Sequence, residues 1–161
     1  MSFSNSKNLR NSPEIDLGRI LPDPASRELY PARMRLFLAR HAKAAPGHPD
    51  ELRPLTQEGR EQARMLGERL AADRPSVVFT SPLLRARETG SAIAKAVGAE
   101  LRIDERLAPG ATADDLLGLV EGAGEVVVAV GHEPDCSEIA AALGERDVPF
   151  SPAAVRELVL E

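Results

Sequence analysis

The sequence predicts an α/β domain, a three-layer sandwich in which helices cover both faces of a mostly parallel sheet. Two observations lead to this class. Strand-like apolar runs alternate with helix-like stretches from residue 34 to residue 160, and this alternation is typical of parallel sheets with helices on both faces. Residues 125–130 (EVVVAV) are almost continuously apolar, which indicates a strand that is buried on both sides.

The first predicted elements of the domain are a strand, a helix and a second strand. Residues 34–39 (MRLFLA) form the first strand. Thr56 is suited to cap a helix that runs to about Ala72, because its side-chain oxygen can accept a hydrogen bond from the backbone of the first turn. Residues 76–80 (SVVFT) form the second strand.

The later elements repeat the alternation. Residues 83–97 form a predicted helix, and Gly98 is placed to end it because glycine readily adopts the left-handed conformation that follows many helices. The remaining predicted elements are a short strand, a short helix, the buried strand, a helix and an edge strand, at residues 101–103, 114–120, 125–130, 135–143 and 155–160.

Residues 1–33 differ in composition from the rest of the chain. They contain four prolines with several Ser and Asn residues, and they show no sustained period of 2 or 3.6. Such a segment is predicted to be an irregular or disordered N-terminal extension, in which residues 15–21 offer a short apolar docking stretch. The folded domain is therefore predicted to span residues 34–161.

The net charge of −5 and the single cysteine indicate the surroundings of the protein. An acidic protein lacks the basic footprint that nucleic-acid binding requires, so we expect no nucleic-acid partner. One cysteine cannot form an intramolecular disulfide, which favours a reducing compartment. Neither a run of ~20 apolar residues nor a signal-peptide pattern is present, so we expect a cytoplasmic protein without a membrane partner.

Cationic and imidazole side chains follow three predicted strands, at the edge where ligands bind in such sheets. Arg40 and His41 follow the first strand, Arg85 comes shortly after the second, and His132 follows the buried strand. Taken alone, each is typical of a loop or of a solvated helix start. Together they would repel one another unless an anion lay between them, and phosphate fits because a guanidinium group matches its oxygen atoms.

Other ligands are less well supported by the sequence. No P-loop is present, and Gly122 and Gly124 precede a strand, whereas a dinucleotide-binding turn follows one. His132 and Cys136 are four residues apart and resemble half of a zinc site, but no second pair completes it. Cys136 is instead predicted to be a small buried apolar residue. We therefore expect neither a metal nor a cofactor.

Four stretches of the chain resemble the histidine phosphatase superfamily, also called phosphoglycerate mutase-like. They occur in the family's order and spacing, as LFLARHA at 36–42, RPLTQEG at 53–59, TSPLLRA at 80–86 and VGHEP at 130–134. Within the superfamily the chain is most similar to the short bacterial phosphohistidine phosphatases, because Ala42 replaces the usual glycine after the Arg-His pair and no Glu follows Leu107 near Pro109. The chain also lacks the long insertions that cap the pocket in larger relatives. The resemblance implies a phosphoglycerate mutase-like fold.

The resemblance also implies a role for each residue of the phosphate site. His41 would attack phosphorus and carry the phosphoryl group, while Arg40, Arg85 and His132 would hold its oxygen atoms. The chemistry agrees, because an imidazole nitrogen is nucleophilic only when neutral and neighbouring Arg charges disfavour its protonation. Phosphoryl transfer asks mainly for positioning and electrostatic stabilisation.

A proton donor that mutases and many small-molecule phosphatases carry has no counterpart here, since Pro109 stands near its position. Expelling an alkoxide needs such a donor, typically worth ~10²–10⁴-fold in rate, whereas imidazole leaves more readily. Glu133 or Glu105 could supply the proton from another direction, although capping the next helix is the plainer role for Glu133.

Three further residues are expected to support the pocket. Ser81 is expected to brace its loop, and Asp50 and Arg53 either orient the pocket rim or form a surface salt bridge.

These inferences predict a metal-independent phosphatase that uses a phosphohistidine intermediate and acts on phosphohistidine in proteins. Two alternatives stay open. One is a phosphatase of small phosphomonoesters in the same superfamily, and the other is a non-catalytic phosphate-binding module. The expected partner is accordingly a phosphorylated protein or a small phosphorylated substrate.

Overall fold

The computed structural model describes residues 33–146 and 149–161. The predicted N-terminal extension, apart from its last residue, lies outside the described residues. Nine helices and strands make up the described part of the chain, in the order β1 (Met34–Arg40), α1 (Gln57–Leu70), β2 (Val77–Thr80), α2 (Leu84–Val97), β3 (Glu100–Ile103), α3 (Ala113–Val120), β4 (Val126–Gly131), α4 (Asp135–Ala142) and β5 (Val155–Leu160). Three short 3₁₀ turns are interspersed, at Asp50–Leu52, Ala71–Asp73 and Glu105–Leu107.

The five strands form one sheet in the order β3-β2-β4-β1-β5. The first four strands of the chain are parallel, and β5 runs antiparallel beside β1 at the edge. Strand β4 lies in the centre of the sheet and is buried over nearly its whole length, which accounts for its uninterrupted apolar sequence. The predicted mostly parallel sheet and the edge position of the last strand are both confirmed.

Helices cover both faces of the sheet, as the alternation along β1 illustrates. Leu36 and Leu38 are fully buried on one face, in a core cluster that includes residues of α3 and α4. Phe37 and Ala39 point to the opposite face, in a second cluster with residues of α1 and α2. Because successive side chains of a strand alternate between faces, both faces of β1 must be apolar, and the three-layer sandwich follows.

Helix ends differ from the predictions by one or two residues. The side chain of Thr56 accepts a hydrogen bond from the Gly59 amide, as predicted, but α1 ends at Leu70 because the following residues tighten into a 3₁₀ turn. Helix α3 begins at Ala113, since Thr112 and Asp115 form a reciprocal capping box. Gly98 ends α2 in the left-handed conformation, with φ of 74°, as predicted.

The order of the sheet places β2, β4 and β1 side by side, with their carboxyl ends at one edge. Backbone hydrogen bonds continue this alignment past the strands. The His41 amide donates to the Gly131 carbonyl at 3.0 Å, and the Ser81 amide donates to the Val130 carbonyl at 3.2 Å. None of the described helices is long and apolar enough to cross a membrane.

Candidate active site

The two histidines that follow β1 and β4 lie next to each other at this edge of the sheet. The ring centroids of His41 and His132 are 5.2 Å apart, with their planes tilted by 56°. Both side chains are almost completely buried, with 8% and 3% of the residue surface exposed. Two side chains that are far apart in the sequence therefore share one small buried space.

His41 is held in the chemical form that a nucleophile needs. Its Nδ1 lies 2.7 Å from the carbonyl oxygen of Ala42, and because a carbonyl only accepts hydrogen bonds, Nδ1 carries the ring proton. Burial, assisted by the positive charges of Arg85 and Arg40, lowers the pKa of His41 from 6.5 to about 4, although the Ala42 hydrogen bond opposes this shift. The ring is therefore neutral at pH 7, with a lone pair on Nε2.

His132 is anchored through its other nitrogen. Its Nε2 lies 2.7 Å from the Ser81 hydroxyl oxygen, which also accepts the Leu83 amide at 3.2 Å. No other acceptor for the Ser81 hydrogen appears among the described residues, so both groups are satisfied when Ser81 donates to Nε2 and the ring proton stays on Nδ1. Burial, with the positive charge of His41 when protonated, lowers the pKa of His132 to about 3. The Nδ1 atom is buried and has no partner in the described part of the chain.

Arg40, the last residue of β1, contributes a second unsatisfied donor. Its Nη1 donates to the Phe150 carbonyl at 2.9 Å, which fixes the guanidinium group. Its Nε is buried and has no partner among residues 33–146 and 149–161. Buried polar atoms are nearly always hydrogen-bonded, so Arg40 Nε and His132 Nδ1, both buried and unpartnered among the described residues at one edge of the sheet, are suited to a ligand with acceptor atoms.

Arg85, the second residue of α2, is held from outside the pocket. Its Nη1 donates to the Asp50 backbone carbonyl at 2.9 Å and its Nη2 to the Asp50 carboxylate at 3.2 Å. The same carboxylate accepts a hydrogen bond from Arg53 at 2.9 Å. These arginines, Arg53 first, hold the pKa of Asp50 below its usual value. Asp50 thus forms a salt bridge with Arg53 at the surface and also holds the buried Arg85. The two roles that the sequence offered for it, a surface salt bridge and a residue that orients the pocket rim, are compatible with these contacts.

Thr89 is a residue of the site that the sequence analysis missed. Its hydroxyl donates to the Arg85 carbonyl at 2.8 Å and accepts the Ala42 amide at 3.0 Å. It therefore ties the loop after His41 to the helix that carries Arg85. The available signal was its position one helical turn after Arg85, on the same face of the helix.

The two glutamates considered as proton donors lie in different surroundings. The Glu133 carboxylate accepts hydrogen bonds from the amides of Ser137 and Phe150, at 2.9 and 3.1 Å, and from the Ser137 hydroxyl at 3.2 Å. These bonds tie it to the first turn of α4. Glu105 is exposed on a 3₁₀ turn and lines a shallow cleft of about 310 Å³ with Pro109. None of the four phosphate-site residues lines that cleft.

Cys136 lies in the core cluster beneath the sheet, with 1% of its surface exposed. Burial raises the pKa of its thiol well above the usual value, so the thiol is protonated. Among the described residues there is no group of three or more His, Cys, Asp or Glu side chains that could hold a metal ion. What the site presents is a neutral imidazole lone pair surrounded by guanidinium and imidazole N–H groups.

Comparisons with known proteins agree with this geometry. Residues 36–109 match the model of the histidine phosphatase superfamily, branch 1. An uncharacterised protein of Picosynechococcus is 33% identical over 120 residues, which cover 68% of this chain and 73% of that protein. A protein of Photorhabdus laumondii named probable phosphoglycerate mutase GpmB is 33% identical over 81 residues, which cover 46% of this chain and 37% of the relative.

A solved structure is similar to this chain over most of its length. The structure of the protein histidine phosphatase SixA complexed with tungstate is similar with a TM-score of 0.69 and 25% sequence identity. The match covers 77% of this chain and 86% of that chain.

Proposed function

This chain belongs to the histidine phosphatase superfamily, and on that premise we propose that it is a metal-independent phosphatase acting on phosphohistidine in proteins. One observation carries the proposal. A neutral, buried His41 has a free Nε2 lone pair, and its ring centroid lies 5.2 Å from that of His132, whose Nδ1 is buried without a partner among the described residues, as is Nε of the adjacent Arg40. A nucleophile next to unsatisfied donors suits the attack on a phosphoryl group.

In the first step, the Nε2 lone pair of His41 forms a bond to phosphorus, and the bond from phosphorus to the leaving group breaks. The electron pair of that bond departs with the leaving group, and a phosphohistidine whose second ring nitrogen already carries a proton leaves as neutral imidazole. The Nδ1 proton of His41 stays hydrogen-bonded to the Ala42 carbonyl, which stabilises the positive charge that develops on the ring. Arg40, Arg85 and the Nδ1–H group of His132 stabilise the negative charge on the phosphoryl oxygens.

In the second step, water attacks the phosphorus atom and the bond to His41 Nε2 breaks. Orthophosphate leaves with the oxygen of that water, and the surplus proton passes to solvent. His41 returns to its neutral form, since burial keeps its pKa at about 4. The same environment that makes the imidazole a nucleophile therefore also restores it after each turnover.

The charge of the site supports a mechanism without metal. A metal ion in phosphoryl transfer neutralises negative charge on phosphoryl oxygens. Here two guanidinium groups, of Arg40 and Arg85, occupy that role, and both lower the pKa of His41 through their positive charge. A divalent cation in the same space would be repelled by the groups that disfavour a protonated imidazole.

The surroundings of the carboxylates support phosphohistidine as the substrate. Glu133 is bound by three donors, Asp50 by two arginines, and Glu105 lines a cleft apart from the phosphate site. An alkyl phosphate needs a proton donor for its leaving alkoxide, while a phosphohistidine that is protonated on its second ring nitrogen releases neutral imidazole, a much weaker base. The likeness to the protein histidine phosphatase SixA points the same way.

A small phosphomonoester is the second candidate substrate. The 33% identity to the protein named probable phosphoglycerate mutase GpmB favours it. If the chain acts on such an ester, a carboxyl group must donate a proton to the leaving alkoxide. The dependence of kcat/KM on the leaving group separates phosphohistidine from a small phosphomonoester as the substrate.

Trapping the intermediate tests the proposed chemistry. The full chain is mixed with a phosphohistidine peptide, quenched within milliseconds and digested for mass spectrometry, while released phosphate is measured in parallel. We expect a phosphoryl group on His41 during turnover, and none in the His41→Ala variant. Reversible phosphate binding without an adduct or phosphate release would identify a non-catalytic phosphate-binding module instead.

A further inference from the structure

A cleft of about 530 Å³ runs along the outer face of α2, beside the phosphate site but separate from it. None of Arg40, His41, Arg85 and His132 lines it. Its floor is apolar and is formed by Leu55, Ala63, Leu84, Ala92, Leu101 and Ile103. Ile103, at the carboxyl end of β3, is 53% exposed, although isoleucine is among the residues most often buried.

The walls of this cleft are positively charged although the whole protein carries a net charge of −5. Its three cationic residues are Arg60, Arg87 and Lys95, against the single acidic residue Glu88. The Glu88 carboxylate is already engaged, because it accepts the Leu55 amide at 3.1 Å. That amide is neutral and leaves the charge of Glu88 in place, so three positive charges face one negative charge and the lining carries a net charge of +2.

Two of these cations have no acidic partner in the part of the chain that the structure describes. Neither Arg87 nor Lys95 takes part in any of the ion pairs between described side chains. The Nε atom of Arg87 is also buried without a hydrogen-bond partner among those residues. It is the one buried, unpartnered side-chain nitrogen of the described residues that lies outside the phosphate site.

The cleft and the phosphate site have residues that are neighbours in the chain. Leu84 lines the cleft and precedes Arg85 directly in the chain, and the lining continues along α2 to Lys95. That stretch is about three helical turns, or roughly 16 Å at 1.5 Å per residue. An extended peptide of about five residues has the same length, at roughly 3.3 Å per residue. A polypeptide whose phosphohistidine reaches His41 can thus lay one flank in the cleft.

We propose that the cleft docks the polypeptide segment that flanks the phosphohistidine, and that it selects segments in which acidic side chains alternate with apolar ones. The acidic side chains pair with Arg87 and Lys95, and the apolar ones cover Leu101 and Ile103. The choice of substrate rests on the proposed function, whereas docking itself is measurable without turnover.

Peptide binding to the full chain tests the proposal. Two fluorescent peptides without a phosphoryl group are compared by anisotropy at low salt, one alternating Glu with Leu and one with Lys in place of Glu. We expect the acidic peptide to bind at least about tenfold more tightly to the wild type, and to lose about tenfold in R87E/K95E. The matched control R69E/R74E changes the net charge equally outside the cleft and should retain wild-type affinity.

Turnover provides a second measurement. We compare kcat/KM for two substrates, a phosphohistidine peptide with acidic flanks and an aryl phosphate. The ratio of the first value to the second should fall about tenfold in R87E/K95E and stay constant in R69E/R74E. Lys95 is exposed, so Lys95→Glu alone gives the same direction if the double variant folds poorly. Raising the salt concentration should weaken the peptide preference of the wild type, because exposed charges are screened.

Equal affinity of the wild type for the two peptides would overturn the proposal, as would an unchanged affinity in R87E/K95E. Crosslinking from a photoreactive residue at position 95 gives a further check. The proposal would also be overturned if this residue crosslinked to residues 1–33 of the same chain, or to a second copy of the chain, and not to the acidic peptide. Peptide binding that needs Arg87 and Lys95 but occurs without phosphate release would uphold the docking site and reject the proposed function.

Discussion

His41 and His132 face each other with ring centroids 5.2 Å apart, yet each is anchored to the protein through a different nitrogen. His41 is held at Nδ1 by the Ala42 carbonyl, and His132 is held at Nε2 by the Ser81 hydroxyl. The first arrangement leaves a lone pair free and the second leaves an N–H group free. In the proposed mechanism, two identical side chains therefore serve as nucleophile and as donor because their neighbours select different free atoms.

The nucleophile is tested by His41→Ala and His132→Ala. His41→Ala should abolish turnover, because the attacking atom is removed, while the far-UV circular dichroism stays that of the wild type. His132→Ala should retain measurable turnover, since it removes stabilisation and leaves the nucleophile in place. Steady-state phosphate release measures both variants. If His41→Ala kept a tenth of the wild-type kcat, another group would have to be the nucleophile.

Ser81 is predicted to act as a positioning residue through the tautomer of His132. Ser81→Ala removes the donor to Nε2, so the ring proton is free to move from Nδ1 to Nε2 and the phosphoryl oxygen loses its partner. We expect kcat to fall by about 10²-fold, within the range measured for lost oxyanion donors. Ser81→Thr keeps the hydroxyl and should recover most of the rate.

The ¹⁵N chemical shifts of the His132 ring give a readout that a merely structural role would not change. The wild type should show a protonated Nδ1, and Ser81→Ala should show protonation shifting toward Nε2. Ser76→Ala, which removes an exposed hydroxyl elsewhere on the sheet, is the matched control. A Ser81→Ala variant with a reduced rate but an unchanged tautomer would contradict this role.

The buried histidines should make stability fall as the pH falls below about 6.5. Burial lowers the pKa values of His41 and His132 to about 4 and about 3, whereas in the unfolded chain they stay near the ordinary value of about 6.5. Between these values the unfolded state binds more protons than the folded state, so the free energy of unfolding rises with pH in this window.

Urea denaturation at pH 7 and pH 5 checks this dependence, because carboxylates are still largely ionised at pH 5. The loss of free energy of unfolding from pH 7 to pH 5 should be smaller in His132→Gln than in the wild type, whatever the stability of the variant at pH 7. An identical loss in both proteins would mean that His132 is not held neutral by burial.

The leaving group should control the rate. We expect kcat/KM to be much larger for phosphohistidine and aryl phosphates than for alkyl phosphates of similar size, since no free carboxyl group is placed at the phosphate site in the described part of the chain. Glu133→Gln and Glu105→Gln should leave this preference unchanged. Equal kcat/KM values for aryl and alkyl phosphates would show that a proton donor acts, and the same two variants would then identify it.

Activity should survive exhaustive treatment with a chelator. The positive charge that phosphoryl transfer requires is supplied here by Arg40 and Arg85, which cannot be removed by dialysis. Phosphate release from an aryl phosphate is compared before and after incubation with excess EDTA. Loss of activity that added zinc or magnesium restores would contradict a metal-independent mechanism.

The sequence by itself determined the elements and most of the groups that carry the chemistry. Apolar periodicity located the strands and helices, and a cap at Thr56 and a left-handed Gly98 follow from local conformational preferences. Arg40, His41 and His132 could be singled out because they stand where parallel strands end. The inferences about the strands, the helices and their ends are confirmed because each depends on residues that are close together in the chain, whereas the site residues stay a prediction.

Only the tertiary structure decided how the site is held together. The contacts from Ser81 to His132, from Asp50 to Arg85 and from Arg40 to Phe150 join residues 51, 35 and 110 positions apart. Sequence spacing carries no record of such contacts, because they depend on which strands become neighbours and on where loops cross the edge of the sheet. The tautomers that we infer for the two histidines, and so their proposed division into nucleophile and donor, depend on these neighbours.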